Sequence, residues 1–442
     1  MRKRTFLKLS SALLTTAAIA PLESCTQSSD SGPARHNWAG NIDYSSDNLN
    51  EPATTDELRD VVVKATKIRP QGTGHSFNGI DNSTYGFVRL LKMNKVVSID
   101  ESNMTVTVQA GMRYGDLARY LEPKGYALHN LASLPHISIG GAIATATHGS
   151  GERNGSLTTA VERMKVMSAA GEITEIPAVV HLGSLGVVTE VTLKIQPTFQ
   201  VRQWVFQYLP MSALKEHFDE IFASGYSVSL FFDWGSENIN QVWVKKKGTA
   251  EDPGDAPQDL FGARAATKDL HPIETISAVN CTPQMGVAGP WHERLPHFKM
   301  DFTPSAGEEL QAEYFVPRAN GYAAIEAVYA LRDQVNPLIQ ITEVRAIAAD
   351  NILMSPFRNQ DSIAIHFTWK KDWDGVRKVL PLIEAALEPY NVKPHWGKLF
   401  TLKPPVLQSR YADLAEFKAL MKQSDPNAKF RNEFIDLNLF SA

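Results

Sequence analysis

The sequence predicts an α+β fold of two sizeable domains, and three observations carry that reading. At 442 residues the chain exceeds one domain of the usual size, about 100–200 residues. Hydrophobic residues make up 43% and charged residues 21%, a balance that lets each domain bury its own core. Helical and strand periodicities mix along the chain without the regular strand–helix repeat of a doubly wound sheet.

The elements follow in order. Residues 1–25, MRKRTFLKLSSALLTTAAIAPLESC, have a basic start, an apolar run from Ala12 to Ala20 and small residues before Cys25. That is the layout of an export signal, and the run is too short to anchor in a bilayer. KRTFLK, 3–8, resembles the twin-arginine export pattern with lysine in place of one arginine. LESC, 22–25, resembles a bacterial lipoprotein cleavage box, so lipid on Cys25 and an envelope or periplasmic location are expected. Residues 26–36 are a polar linker, and the globular part is expected from Asn37. Thr54 and Glu57 fit a capping box, followed by Leu58, Val61, Val62 and Ala65 at helical spacing. KIRPQG reads as a short strand, residues 96–109 as two strands, and Gly111 precedes a helix carrying Leu117 and Leu121. HLGSLGVVTEVTLKI, 181–195, is a small-residue turn entering a strand.

From about 206 the pattern changes. Ser212 to Phe222 reads as one amphipathic helix, and YSVSLFFDW and NQVWVKK as paired strands. A Pro/Gly/Asp-rich loop fills 248–258. Strands at 338–348 and 362–369 flank a second helical region, and a helix with Leu414, Phe417 and Leu420 closes the chain. The run Lys245–Lys247 reads as a solvated hairpin end. A net charge of −4 gives no footing for nucleic acid. The two cysteines, Cys25 and Cys281, allow no internal disulfide once the first is lipidated or removed. CxxC and CxxH zinc patterns are absent, so no metal is expected.

Five stretches point to chemistry. RPQGTGHSFNGIDNS, 69–83, sets His75 between a Gly-x-Gly turn and a Ser-Phe-Asn run. SLPHISIGGAIATATHGSGERNGS, 133–156, has almost no bulk. Such a segment lets backbone approach a large flat ligand, and equally serves as a Gly-rich structural turn; composition leaves both open. In LIQITEVRAIA, alternation places Ile341, Glu343, Arg345 and Ile347 on one face, where Glu343 and Arg345 form a clamp suited to hydroxyl groups. In SIAIHFTW, Ile363, Ile365, Phe367 and Trp369 form the apolar face, so His366 and Thr368 turn the other way. Two such strands side by side make either a binding wall or a solvated sheet face carrying a surface ion pair, and PHWGK, 394–398, adds Lys398.

With GTGHSFNGI and ASLPHISIGGAIATATHGSGERNGSL, the chain resembles the vanillyl-alcohol-oxidase group of flavoproteins, and within it the alditol (xylitol) oxidases. The likeness runs from NWAGNIDY to FRNEF, through VNCTPQ, GPWHERLPHF, EVRAIAAD, IHFTW and PHWGKLF. It implies a split FAD-binding domain of the PCMH type, 37–205 plus 399–442, with a substrate cap at 206–398. It also implies FAD bonded covalently through a ring nitrogen of His75. The chain lacks the cysteine of doubly tethered relatives, so a single bond is implied. Cofactor contacts carried over are Gly72, Thr73, Gly74, Ser76, Phe77, Ser133, Ser138, Gly141, Ala144, Thr145, Thr147, His148, Gly149 and Val188. Ser133, Glu343, Arg345, Thr368 and Lys398 would bind a polyol, with Lys398, His366 and Arg345 serving the chemistry, and Ala132 would bear on oxygen access. The implied reaction oxidises a terminal hydroxyl of xylitol or sorbitol by hydride transfer to flavin N5, dioxygen becoming hydrogen peroxide, in a monomer. One departure is a shortened segment at 177–187. The alternatives are a sugar-lactone oxidase or dehydrogenase, and a polyol-binding lipoprotein without redox activity.

Overall fold

Alternation of side chains decides the largest layer. In a computed structural model describing residues 35–248, 260–302 and 307–441, an antiparallel sheet of nine strands spans residues 200–394. Its order is 264–265, 200–210, 238–248, 227–232, 339–347, 362–370, 309–317 and 393–394, with 289–290 also paired to 200–210. The expected neighbours 339–347 and 362–370 pair directly, Glu343 opposite His366. Ile363, Ile365, Phe367 and Trp369 share a core with Leu310, Tyr314, Val316 and Val344, covered by Leu214, Phe222, Ile325, Val379, Leu380 and Ile383 of the helices. Helices therefore back one face, and the other is left to Gln311, Glu313, Glu343, Arg345, His366 and Thr368.

Among the described residues a second sheet of five antiparallel strands runs 96–100, 105–109, 187–194, 161–167, 173–176, and three short parallel strands join 49–50, 87–89 and 69–71. The core beneath the five-stranded sheet takes in helix Tyr114–Leu121, short helix Ile139–Ile143 and the late residues Leu407, Phe417, Met421 and Ile435. Residues from Arg35 onward form one compact unit.

Thr54 caps helix Thr55–Lys64 by accepting from the Glu57 N–H, while the Glu57 carboxylate turns back to the N–H of Ala53 rather than Thr54. The signal, most of the 26–36 linker and nearly all of the 248–258 loop lie outside the described residues.

Three expectations are corrected. The helix of Ser212–Phe222 is two, Met211–Glu216 and Phe218–Ala223, because His217 leaves helical backbone (φ −119°, ψ 31°). No helix lies between the strands 339–347 and 362–370; the helices sit before them at 321–335 and after them at 373–387. Lys245 is not at a solvated end: at 1% exposure it is inside the molecule, because residues 295–297 cross over its strand and take its ammonium.

Candidate active site

The His75 loop is held from three sides. Its strand, Arg69–Gln71, pairs with Phe87–Arg89, and Gly74 turns with φ +74°, a conformation that disfavours any side chain. The Gly74 carbonyl accepts from the Trp38 N–H at 2.8 Å, and Ser76 O accepts from Asn37. Asn78 donates to the carbonyls of Trp396 (2.9 Å) and Lys398 (2.6 Å), while the Phe77 N–H reaches Gly397 O at 2.8 Å. The loop and the PHWGK segment, more than 300 residues apart in sequence, are thus stapled together.

His75 packs against Trp38 (centroids 4.8 Å) and its Nε2 lies 2.5 Å from Nε2 of His136. Burial pushes His75 down to about 3 and His136 to about 4, with Arg113 adding to both. Both rings are neutral near pH 7, and one proton is shared between them. His75 Nδ1 makes no hydrogen bond with any described residue.

Loop and sheet face enclose a cavity of about 530 Å³, within the range of small-molecule and cofactor sites. It is lined by Gly72, Thr73, Gly74, His75, Ser76, Phe77, Ala132, Ser133, Ser138, Gly141, Ala144, Thr145, Thr147 and His148, and by Glu343, Arg345, His366, Thr368 and Lys398. Two of the expected contacts stand apart. Val188 lines a smaller cavity of about 70 Å³ that shares Gly72, Ser138 and Gly141. Gly149 faces Asn130 and the Leu131 carbonyl, where a Cβ would sit 2.4 Å from oxygen.

The floor fits a large flat cofactor. Gly72 and Gly141 approach so closely that a Cβ on Gly72 would lie 3.2 Å from Gly141 Cα. Between them the Ser138 hydroxyl is buried with no hydrogen-bond partner among the described residues, a group that a ligand atom in the cavity would satisfy.

The opposite wall is a charged network centred on Glu313, which the sequence reading missed. Glu313 is 1% exposed. Its carboxylate accepts from Arg345 at 2.5 Å and Lys398 at 2.8 Å, with His148 Nε2 at 3.3 Å. Burial opposes its ionisation, but Lys398 and Arg345 outweigh that and hold it far below the usual carboxylate range. Glu343 is likewise held low by Arg345 and His297 against the cost of burial; His297 donates from Nε2 to its Oε1 at 2.8 Å. Arg345 Nε has no hydrogen-bond partner among the described residues and lies 3.7 Å from Glu343, a donor that a ligand could engage. Lys398 (3.0 Å) and Arg345 (3.3 Å) both reach Nδ1 of His366. Two cationic donors at one nitrogen fix the neutral tautomer with hydrogen on Nε2, and burial with Lys398 pushes that imidazole well below its ordinary range. Burial also lowers Lys398.

Alternation could have exposed Glu313: Glu309, Gln311 and Glu313 share one face of ELQAEYFVP. Only tertiary contact reveals His136 and His297.

Comparison with known proteins follows these regions. An FAD binding domain model matches residues 47–177, and a D-arabinono-1,4-lactone oxidase model matches 304–438. Alditol oxidase of a Streptomyces species is 45% identical, covering 90% of this chain and 97% of its own length. L-gulonolactone oxidase of Scyliorhinus torazame is 25% identical, and L-gulono-1,4-lactone dehydrogenase of Mycobacterium tuberculosis 26%, each covering 91% of this chain and 98% of its own. The crystal structure of cholesterol oxidase from B. sterolicum superposes with a TM-score of 0.74 at 16% identity, over 95% of this chain and all of that one; it shares the fold.

Proposed function

The chain belongs to the alditol-oxidase family of FAD-dependent oxidoreductases, and from that premise we propose that it oxidises the terminal hydroxyl of alditols such as xylitol and sorbitol to the aldehyde. When bound, FAD supplies the two-electron acceptor for the alcohol carbon and returns those electrons to dioxygen as hydrogen peroxide. The observation that carries the proposal is one cavity with two unlike walls: a glycine-rich floor beside His75 and a charged sheet face across from it.

Residues 37–205 and 399 onward are assigned to the cofactor, and 206–398 to the polyol. His75 is assigned as the covalent tether, through Nδ1, since Nε2 is engaged by His136. Glu343, Arg345, Thr368 and Ser133 hold successive hydroxyls, which fixes the carbon presented to the floor and discriminates against analogues lacking those hydroxyls.

Lys398 is assigned to take the hydroxyl proton. Burial favours release of the ammonium's proton to solvent; the amine then keeps two N–H groups for its two acceptors, Glu313 and His366, and its lone pair is free for the substrate O–H. The charge it gains is matched by Glu313. His366, with hydrogen on Nε2, orients the reacting oxygen, and the fixed cation of Arg345 favours negative charge developing there.

The test uses purified protein. Yellow colour is expected to stay with acid-precipitated wild type and to leave with His75→Ala, and anaerobic xylitol is expected to bleach the wild-type flavin. A colourless chain, or one whose flavin xylitol leaves oxidised, would remove the proposal. The lactone-oxidase match over 304–438 favours a second reading, a sugar-lactone oxidase; faster turnover of gulono-lactone than of xylitol would establish it.

A further inference from the structure

Lys245 is a buried cation that the proposed chemistry does not use. It is absent from the cavity lining, yet its Nζ reaches three acceptors: Leu295 O at 2.5 Å, Pro296 O at 3.1 Å and His297 Nδ1 at 3.3 Å. An ammonium has three hydrogens, and each has one acceptor here. His297 is fixed on its other sides too. Its carbonyl accepts from the Thr282 N–H at 2.9 Å, and its ring meets Phe231 and Trp243 edge to face, both at 5.3 Å. Nε2 then donates to Glu343 Oε1 at 2.8 Å, and Glu343 and His297 both line the cavity.

We propose that Lys245 and His297 form a specificity-determining relay, in which the ammonium fixes His297 as a neutral Nε2–H donor so that Glu343 presents a fully charged, fixed carboxylate to a substrate hydroxyl. Lys245 is a positioning residue and His297 its connector. The inference rests on the polyol reading above and names what sets affinity within it.

The physical steps are short. While Lys245 is charged, Nδ1 of His297 is an acceptor and cannot take a second proton, so the ring cannot become a cation that would neutralise Glu343. When Lys245 loses its proton, the amine keeps two hydrogens for the two carbonyls and its lone pair faces Nδ1. That favours hydrogen on Nδ1 and turns the Nε2 lone pair toward the Glu343 carboxylate, two acceptors in contact. The groups around Lys245 are Glu343 on strand 339–347, Cys281, Arg294 and His297. Burial raises the Cys281 thiol to about 12, so it stays neutral. Burial lowers Lys245 to about 7, against the pull of Glu343.

The experiment measures xylitol affinity by calorimetry from pH 6 to pH 9 on the holoenzyme with its flavin chemically reduced and oxygen excluded, so that no hydride can be transferred, beside steady-state kinetics of the oxidised enzyme. In wild type the Kd is expected to rise toward alkaline pH. In Lys245→Met the Kd at pH 6 is expected to be about tenfold higher and flat with pH, with KM moving and kcat changing less than threefold. In a second pair, His297→Gln, whose amide still donates to Glu343, is expected to retain several times the affinity of His297→Leu. Should Lys245→Met fail to fold, this pair carries the test. Wild-type affinity in Lys245→Met, a pH dependence surviving in it, or equal losses in the two His297 variants would overturn the relay. A wild-type chain that binds no polyol would instead take down the functional reading beneath it.

Discussion

His75 was legible because glycines and a Ser-Phe-Asn run mark a shaped loop; its partner was not. Nothing in SLPHIS separates His136 from any loop histidine, and only the 2.5 Å approach gives it work to do. For His75 Nδ1 to keep a lone pair, the shared proton must sit on His75 Nε2 and be accepted by His136. A buried N–H stripped of its acceptor costs about 1–3 kcal/mol, which would press His75 toward the other tautomer. In His136→Leu, flavin is therefore expected to bind but to be released by acid, the retained fraction falling at least severalfold by absorbance of the precipitate. Full retention would show that His136 is not needed for the tether. Lys245 misled the sequence reading for the opposite reason. Three lysines in a row read as a solvated face, and burial of the first depends on residues 295–297 crossing its strand, a contact no local pattern records.

At the scale of elements, a period of two carried the reading furthest. The apolar face of 362–370 had to meet the helices, so His366 and Thr368 had to face the cavity, and the neighbouring strand displays Glu343 and Arg345 to the same space. The strand 309–317 carries the same alternation, but Glu313 acquires meaning only once its neighbours are known. Helix continuity was less legible: the residues at 212–222 have helical spacing, and the break at His217 is a tertiary outcome. The floor depends on two elements nearly touching, the loop after Arg69–Gln71 and the short helix Ile139–Ile143. Gly72→Ala would set a Cβ 2.9 Å from Ser138 Oγ and 3.2 Å from Gly141 Cα, too close without moving backbone. Flavin content per chain is expected to drop severalfold, read by absorbance at unchanged far-ultraviolet circular dichroism. Wild-type flavin content would mean that the floor yields.

For the whole molecule, the site joins segments that sequence distance keeps apart, the His75 loop with Lys398 and the floor with a sheet built from residues 200–394. Periodicity proposes each piece, and only the resemblance grouped them in advance. Burying so many histidines in one assembly has a consequence for stability. Burial pushes down the pKa of His75, His129, His136, His148, His181, His271, His292, His297, His366 and His395, to about 4 for His136 and His181 and about 3 for His75. Each binds its proton less readily in the fold than in the unfolded chain, where an imidazole titrates near about pH 6.5, so the unfolded chain binds more protons and stability falls as pH falls. Each such proton steepens the loss by up to about 1.4 kcal/mol per pH unit. Glu313 and Glu343 act lower down: their depressed pKa values keep their contribution intact until pH drops below the ordinary carboxylate value of about 4.3. A loss between pH 6.5 and 5 therefore belongs to the histidines. The Tm of the holoenzyme, followed by calorimetry, is expected to fall steadily from pH 7 to pH 5 with net proton uptake on unfolding. A Tm flat across that interval would mean that these imidazoles are already charged in the fold, and the neutral tautomers assigned to His297 and His366 would have to be abandoned with it.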